Sequence, residues 1–122
     1  MTEDELQKLL ETTLPARDRF DVFVEEFDGQ DLRLRFSPAA GEGWTSAALL
    51  SVADTALRAA AGLSHAVSNL NVTVLRQAEA ADVISLSRVI RRDGGVAHAE
   101  AWLFSHAPIE PMLHATATLK DK

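Results

Sequence analysis

An α+β domain, in which one long apolar helix packs against an antiparallel sheet, is the fold class this sequence predicts. Three observations predict it. Residues Thr45 to Ala61 form one continuous apolar, helix-favouring run. On either side of that run the chain alternates with a period of two, as half-buried strands do. The 122 residues, 47% of them apolar, have room for one core, so 1–122 is read as a single domain.

Charge and composition narrow the function classes. A formal net charge of −6 speaks against a nucleic-acid binder, whose surface must be basic to neutralise phosphates. There is no cysteine, which excludes disulfides and thiolate metal sites. The opening stretch MTEDELQKLLE is acidic and amphipathic, unlike a secretory signal or a mitochondrial presequence. No apolar run approaches the ~20 residues needed to cross a bilayer. The expectation is a cytoplasmic protein with no membrane or nucleic-acid partner.

The elements follow in order. Thr2 and Glu5 match a capping box, with Leu6, Leu9 and Leu10 on one face behind it, so a first helix spans 1–14 and ends before Pro15. Arg19 to Pro38 holds two alternating segments around Asp28-Gly29, a hairpin signal. In the second segment Leu32, Leu34 and Phe36 face one way and Arg33 and Arg35 the other. Pro38 and Gly41 to Gly43 mark a loop. The long helix, 45–61, can be capped by Thr45 or Ser46 and stopped by Gly62. Its polar residues Ser51, Asp54, Thr55 and Arg58 form one narrow stripe, so it should be buried round most of its circumference.

After Gly62 the period returns to two. SNLNVTVL sets Leu70, Val72 and Val74 against Asn69, Asn71 and Thr73. DVISLSRVI turns through RRDGG into VAHAEAWLF, and a loop with Pro108 and Pro111 leads to the last strand, LHATATL.

Asp54 is the anomaly, a carboxylate in the middle of the most apolar stretch. A buried carboxylate needs either a partner or a chemical role. Arg58 stands one turn later, and an Asp/Arg pair at i, i+4 is an ordinary helix salt bridge. When exposed, such a pair contributes only a few tenths of a kcal/mol, roughly. Both readings stay open on spacing alone.

The longer pattern resembles one family. SVADTALRAA resembles the central helix of hotdog-fold acyl-CoA thioesterases, whose LADxA motif presents an acidic residue to the thioester. SNLNVTVLRQA looks like the family's strand after that helix, ISLSRVIRRDGGVAHAEAWLF like its next hairpin, and MLHATATLK like its closing strand. The match runs from Phe20 to Lys120, and the nearest branch is that of the phenylacetate-pathway thioesterases.

The resemblance implies a sheet wrapped around the helix 45–61 and a hydrolase that cleaves acyl-CoA to free acid and CoA. It puts Asp54 at the general-base or nucleophile position, with Ser68 holding the water and Asn69 or Thr73 as fallbacks. Thr45, Ser46 and Ala47 occupy the turn whose N–H groups polarise the thioester carbonyl. Many family members carry His-Gly-Gly there. The alternative is therefore a non-catalytic hotdog protein that binds an acyl thioester or serves as an assembly partner.

The resemblance also implies a homodimer or homotetramer, because the carboxylate of one subunit serves the helix N-terminus of another. Trp44 would cover the acyl pocket or an interface. Arg76, Arg91 and Arg92 would meet the CoA phosphates. No cofactor is implied beyond the CoA of the substrate. The spacing of His65, His98, His106 and His114 fits no metal-ligand motif, and no G-x-S-x-G nucleophile elbow is present.

Overall fold

The computed structural model describes residues 2–13, 20–38, 44–63, 65–76, 81–105 and 111–121. Pro15, Gly41 to Gly43, His106 and Pro108, read above as breaker, loop or histidine positions, lie outside the described residues. The chain runs α1 (Glu3–Thr13), β1 (Phe20–Phe27), β2 (Asp31–Pro38), α2 (Ser46–Ala61), β3 (His65–Val74), β4 (Val83–Asp93), β5 (Val96–Ser105) and β6 (Pro111–Asp121). Among the described residues, six strands form one antiparallel sheet in the order β1-β2-β4-β5-β6-β3. The α+β class is as expected.

Local chemistry sets the ends of the elements. Thr2 Oγ1 accepts from the Glu5 amide at 3.2 Å, the capping box expected for α1. Asp28 Oδ1 accepts from the amides of Gln30 at 2.9 Å and Asp31 at 2.7 Å, closing the β1–β2 turn. Those bonds, from Gln30 first and then Asp31, hold the Asp28 carboxyl below its ordinary pKa. Gly62 ends α2 at φ 135°, and a Cβ there would meet His65 Nδ1 at 2.9 Å. Only glycine combines that backbone angle with so close a neighbour.

Register decides which faces meet. Leu32, Leu34 and Phe36 lie opposite Ser87, Ser85 and Val83 on the helix side of the sheet, and all six are buried. On β5 and β6, Ala97, Ala99, Ala101, Ala115 and Ala117 face the same way and are buried. These small side chains let α2, with its own Ala53 and Ala56, approach the sheet closely over β4 and β5.

Two expectations change here. The open stripe of α2 follows the polar residues at Ser51, Asp54 and Arg58 but departs from them at two positions: Thr55 is buried and its hydroxyl donates to the Ser51 carbonyl at 2.8 Å, whereas Leu50 is exposed. A hydroxyl that satisfies itself on its own helix can enter the core, so polarity alone misplaced Thr55. The second change concerns β3. Leu70, Val72 and Val74 do share the helix side, opposite Ala117, Ala115 and Leu113, yet Leu70 and Val74 are exposed. The chain crosses from α2 to the far edge of the sheet, and α2 sits chiefly over β4 and β5.

Candidate active site

α2 carries the chemistry at two places. At its N-terminus Thr45, with φ −83° and ψ 164°, is the cap, and its Oγ1 accepts from the Ala48 amide at 3.1 Å. A cap of this kind contributes about 1 kcal/mol. The Thr45 carbonyl accepts from Leu49 at 3.0 Å, the first helical bond. Helix geometry then leaves the amides of Ser46 and Ala47 with no partner inside the helix, and they point out along its axis. Trp44, just outside the cap, is partly buried against the core, and its Nε1 donates to the Ala81 carbonyl at 2.6 Å. That bond pins the entry to α2.

The second place is Asp54. Its side chain is 40% exposed on the open stripe of α2, and Arg58 Nη1 stands 3.7 Å from Oδ2. This is a long, loose ion pair, and Arg58 Nη2 already donates to the Leu63 carbonyl at 3.3 Å. Nine residues separate Asp54 from Thr45. At ~1.5 Å per residue that is about 13.5 Å along the axis. The carboxylate therefore cannot act on a group held at the N-terminus of its own helix.

The other predicted residues fall on the strands. Ser68 sits at a register shift in β3, between Val67 and Asn69, and its hydroxyl donates to the Thr118 carbonyl at 3.1 Å. Asn69 Oδ1 accepts from Asn71 Nδ2 at 2.9 Å. Arg76 follows β3, its amide bonded to the Met112 carbonyl at 3.1 Å. Arg91 Nε lies 2.8 Å from Asp93 Oδ2 on the exposed surface. Arg92 Nη2 donates to the Ala61 carbonyl at 2.8 Å, satisfying the C-terminus of α2. Helix end and carboxylate thus lie on α2, Ser68 and Asn69 on β3, Arg76 just beyond it, and Arg91 and Arg92 on β4; within one chain the helix end and the carboxylate stay apart.

The far face of the sheet carries a separate polar cluster that no sequence motif announced. Glu100 lies 2.8 Å from Arg88 Nε and 3.4 Å from His114 Nε2, and the His114 ring packs 4.0 Å from that of Trp102. Burial acts to raise the Glu100 pKa, but the hydrogen bonds from Arg88 and His114 outweigh it and hold the group below the ordinary value. The cross-strand register puts these residues together, and no sequence spacing records register. A groove of about 640 Å³ opens nearby, lined by Leu86, Arg88, Glu100 and Trp102 among others, and none of the predicted site residues lines it. Among the described residues no group of three or more His, Asp or Glu side chains could hold a metal ion.

The fold has clear counterparts. The chain is similar to thioesterase superfamily member 2 of zebra fish, at 12% identity and a TM-score of 0.84, covering 100% of this chain and 99% of that one. It is similar to a Shewanella oneidensis protein related to the thioesterase superfamily, at 12% identity and a TM-score of 0.82, covering 98% and 95%. A phenylacetic acid degradation-related protein of Ralstonia eutropha gives 20% identity and a TM-score of 0.74, covering 94% and 98%. No protein-family model matches the chain, and no curated protein matches it. The chain therefore shares its fold with solved proteins of the thioesterase superfamily, as the hotdog-like motifs implied.

Proposed function

We propose that the protein hydrolyses an acyl-CoA thioester to free acid and CoA, at a site assembled from two copies of the chain. One observation carries this reading: α2 offers unpaired N–H groups at one end and a half-exposed carboxylate about 11 Å further along. A second copy, set antiparallel, brings the carboxylate of one helix to the N-terminus of the other. The Ser46 and Ala47 amides then bind the carbonyl oxygen and stabilise the oxyanion as it forms. Asp54 takes a proton from water, or attacks the carbonyl itself, and Ser68 holds that water. The water oxygen bonds to the carbonyl carbon, the C–S bond breaks, and the CoA thiolate leaves and recovers the proton from Asp54. Where Asp54 attacks instead, water then hydrolyses the acyl–Asp54 anhydride to the free acid and restores the carboxylate. The resemblance to thioesterases along the chain supports the same reading.

Dimerisation through the open β3 edge gives this arrangement, and two dimers can pair further into a tetramer. CoA phosphates meet Arg76 and Arg91, whereas the bond of Arg92 to Ala61 favours a structural task for that side chain. The setting is the cytoplasm, and no cofactor enters.

A second reading has one observation in its favour: Ala47 and Ser46 stand where many thioesterases have glycines, and a Cβ narrows the approach to a carbonyl. On it the protein binds a thioester, or serves as an assembly partner, without cleaving it. A panel of acyl-CoA substrates, run on the wild type and on Asp54→Asn, separates the two. The hydrolytic reading expects turnover of at least one substrate and a loss of about 100-fold or more in the variant. No turnover in the wild type, with acyl-CoA still bound, supports the binding protein instead. Turnover unchanged in Asp54→Asn overturns the carboxylate's role.

A further inference from the structure

The β1 edge of the sheet carries an unusual partner. The side-chain amide of Gln7, in α1, reaches the backbone of β1 with both of its ends. Its Nε2 donates to the Val22 carbonyl at 2.9 Å, and its Oε1 accepts from the Val24 amide at 2.7 Å. This is the donor-and-acceptor pair that a neighbouring strand would present, supplied by one side chain. One turn away Glu3 Oε2 accepts from the Phe27 amide at 3.3 Å. The register shift between Val24 and Glu26 explains why the outward amide is then that of Phe27, an odd position, after the even positions Val22 and Val24. Leu6 and Leu10 are buried on the same helix, so α1 is held against the core while its polar residues lie on the strand.

We infer that α1 masks a second strand-pairing surface, and that the partner this surface fits is the β1 strand of another copy of the chain. An antiparallel β1–β1 pair is self-complementary, because each strand presents the same outward groups to the other. The inference rests on the two-chain reading above in one respect. When β3 edges are already paired, each dimer ends in two β1 edges, and uncapping them permits end-to-end growth that nothing closes. Gln7 and Glu3 therefore keep assembly finite.

Gln7→Leu removes both bonds to β1, and Gln7→Glu removes the donor while keeping an acceptor. After circular dichroism confirms the fold, light scattering across a concentration series reads the mass. The expected result is a mass for Gln7→Leu that climbs with concentration to at least twice that of the wild type, with Gln7→Glu between them. In dilute solution, where the variant still has the wild-type mass, hydrogen exchange at the Val24 amide should quicken about tenfold, the change expected on losing one ordinary hydrogen bond. Equal masses at every concentration overturn the inference, and so does unchanged exchange at Val24 in the dilute variant. Should Gln7→Leu fail to fold, Glu3→Ala is the smaller lesion, read at the Phe27 amide by the same two measurements. A wild type that is monomeric would overturn the dimer but not the cap, because each variant is compared with the wild type.

Discussion

At the β1 edge the outward backbone groups of Val22, Val24 and Phe27 meet side chains of α1, and Leu6 and Leu10 seal the helix to the core. At the β3 edge no further strand follows among the described residues, and Leu70, Val74 and the adjoining Leu75 are exposed. One sheet thus has an edge closed within the chain and an edge left open. An open, apolar edge strand is a liability in a free monomer and an asset in a closed dimer. On the reading proposed above, the chain pairs through β3, and its chemistry lies on that side, with Asp54 on α2 and Ser68 on β3.

Charging the open edge should have the largest effect. In Leu70→Lys/Val74→Lys, like charges would face each other across the pairing line, so light scattering should report a single-chain mass and acyl-CoA turnover should vanish. A dimeric and active double variant would break the comparison, because pairing would then run through another surface.

Arg92→Ala comes next. Losing its bond to the Ala61 carbonyl should lower stability by about 1 kcal/mol in denaturant unfolding while leaving the mass unchanged. A change of mass would tie the end of α2 to the pairing edge.

Acid should loosen the closed side. The Asp28 carboxyl, in the turn next to the capped strand, has its pKa lowered in the folded chain from the ordinary 3.8. Its stabilisation is therefore fully present above that value and is lost as the pH falls through the lower folded one. Asp28→Ala should flatten the low-pH limb of the stability curve, and a limb left unaltered would assign it to other carboxylates.

The smallest change is expected in the stability of Asp54→Asn. The Arg58 pair is 3.7 Å long and the aspartate 40% exposed, so the melting curve should shift by no more than about 0.5 kcal/mol. A larger loss would make Asp54 a strut for Arg58 and not a free base.

Much of this was legible in the residues. The Thr2–Glu5 box, the Asp28-Gly29 turn and the Gly62 stop are local devices, and each stands where its chemistry required. The alternation of Leu32, Leu34 and Phe36 told their face correctly, because a strand's period is independent of its neighbours. Gln7 was not legible. A glutamine on an amphipathic helix reads as solvated, and its contact lies 15 and 17 residues away in sequence. Thr55 was misread for a related reason: its hydroxyl finds a carbonyl on its own helix.

By itself, then, the sequence determined the kinds of element, their order, their caps and the presence of one carboxylate in an apolar helix. These follow from interactions within a few residues, which spacing records. The tertiary structure alone decided that β3 crosses to the far edge, that Leu50 is open where Thr55 is closed, and that α1 covers β1. Those outcomes depend on which distant segments meet, and a period of two or of 3.6 says which face is buried without saying against what.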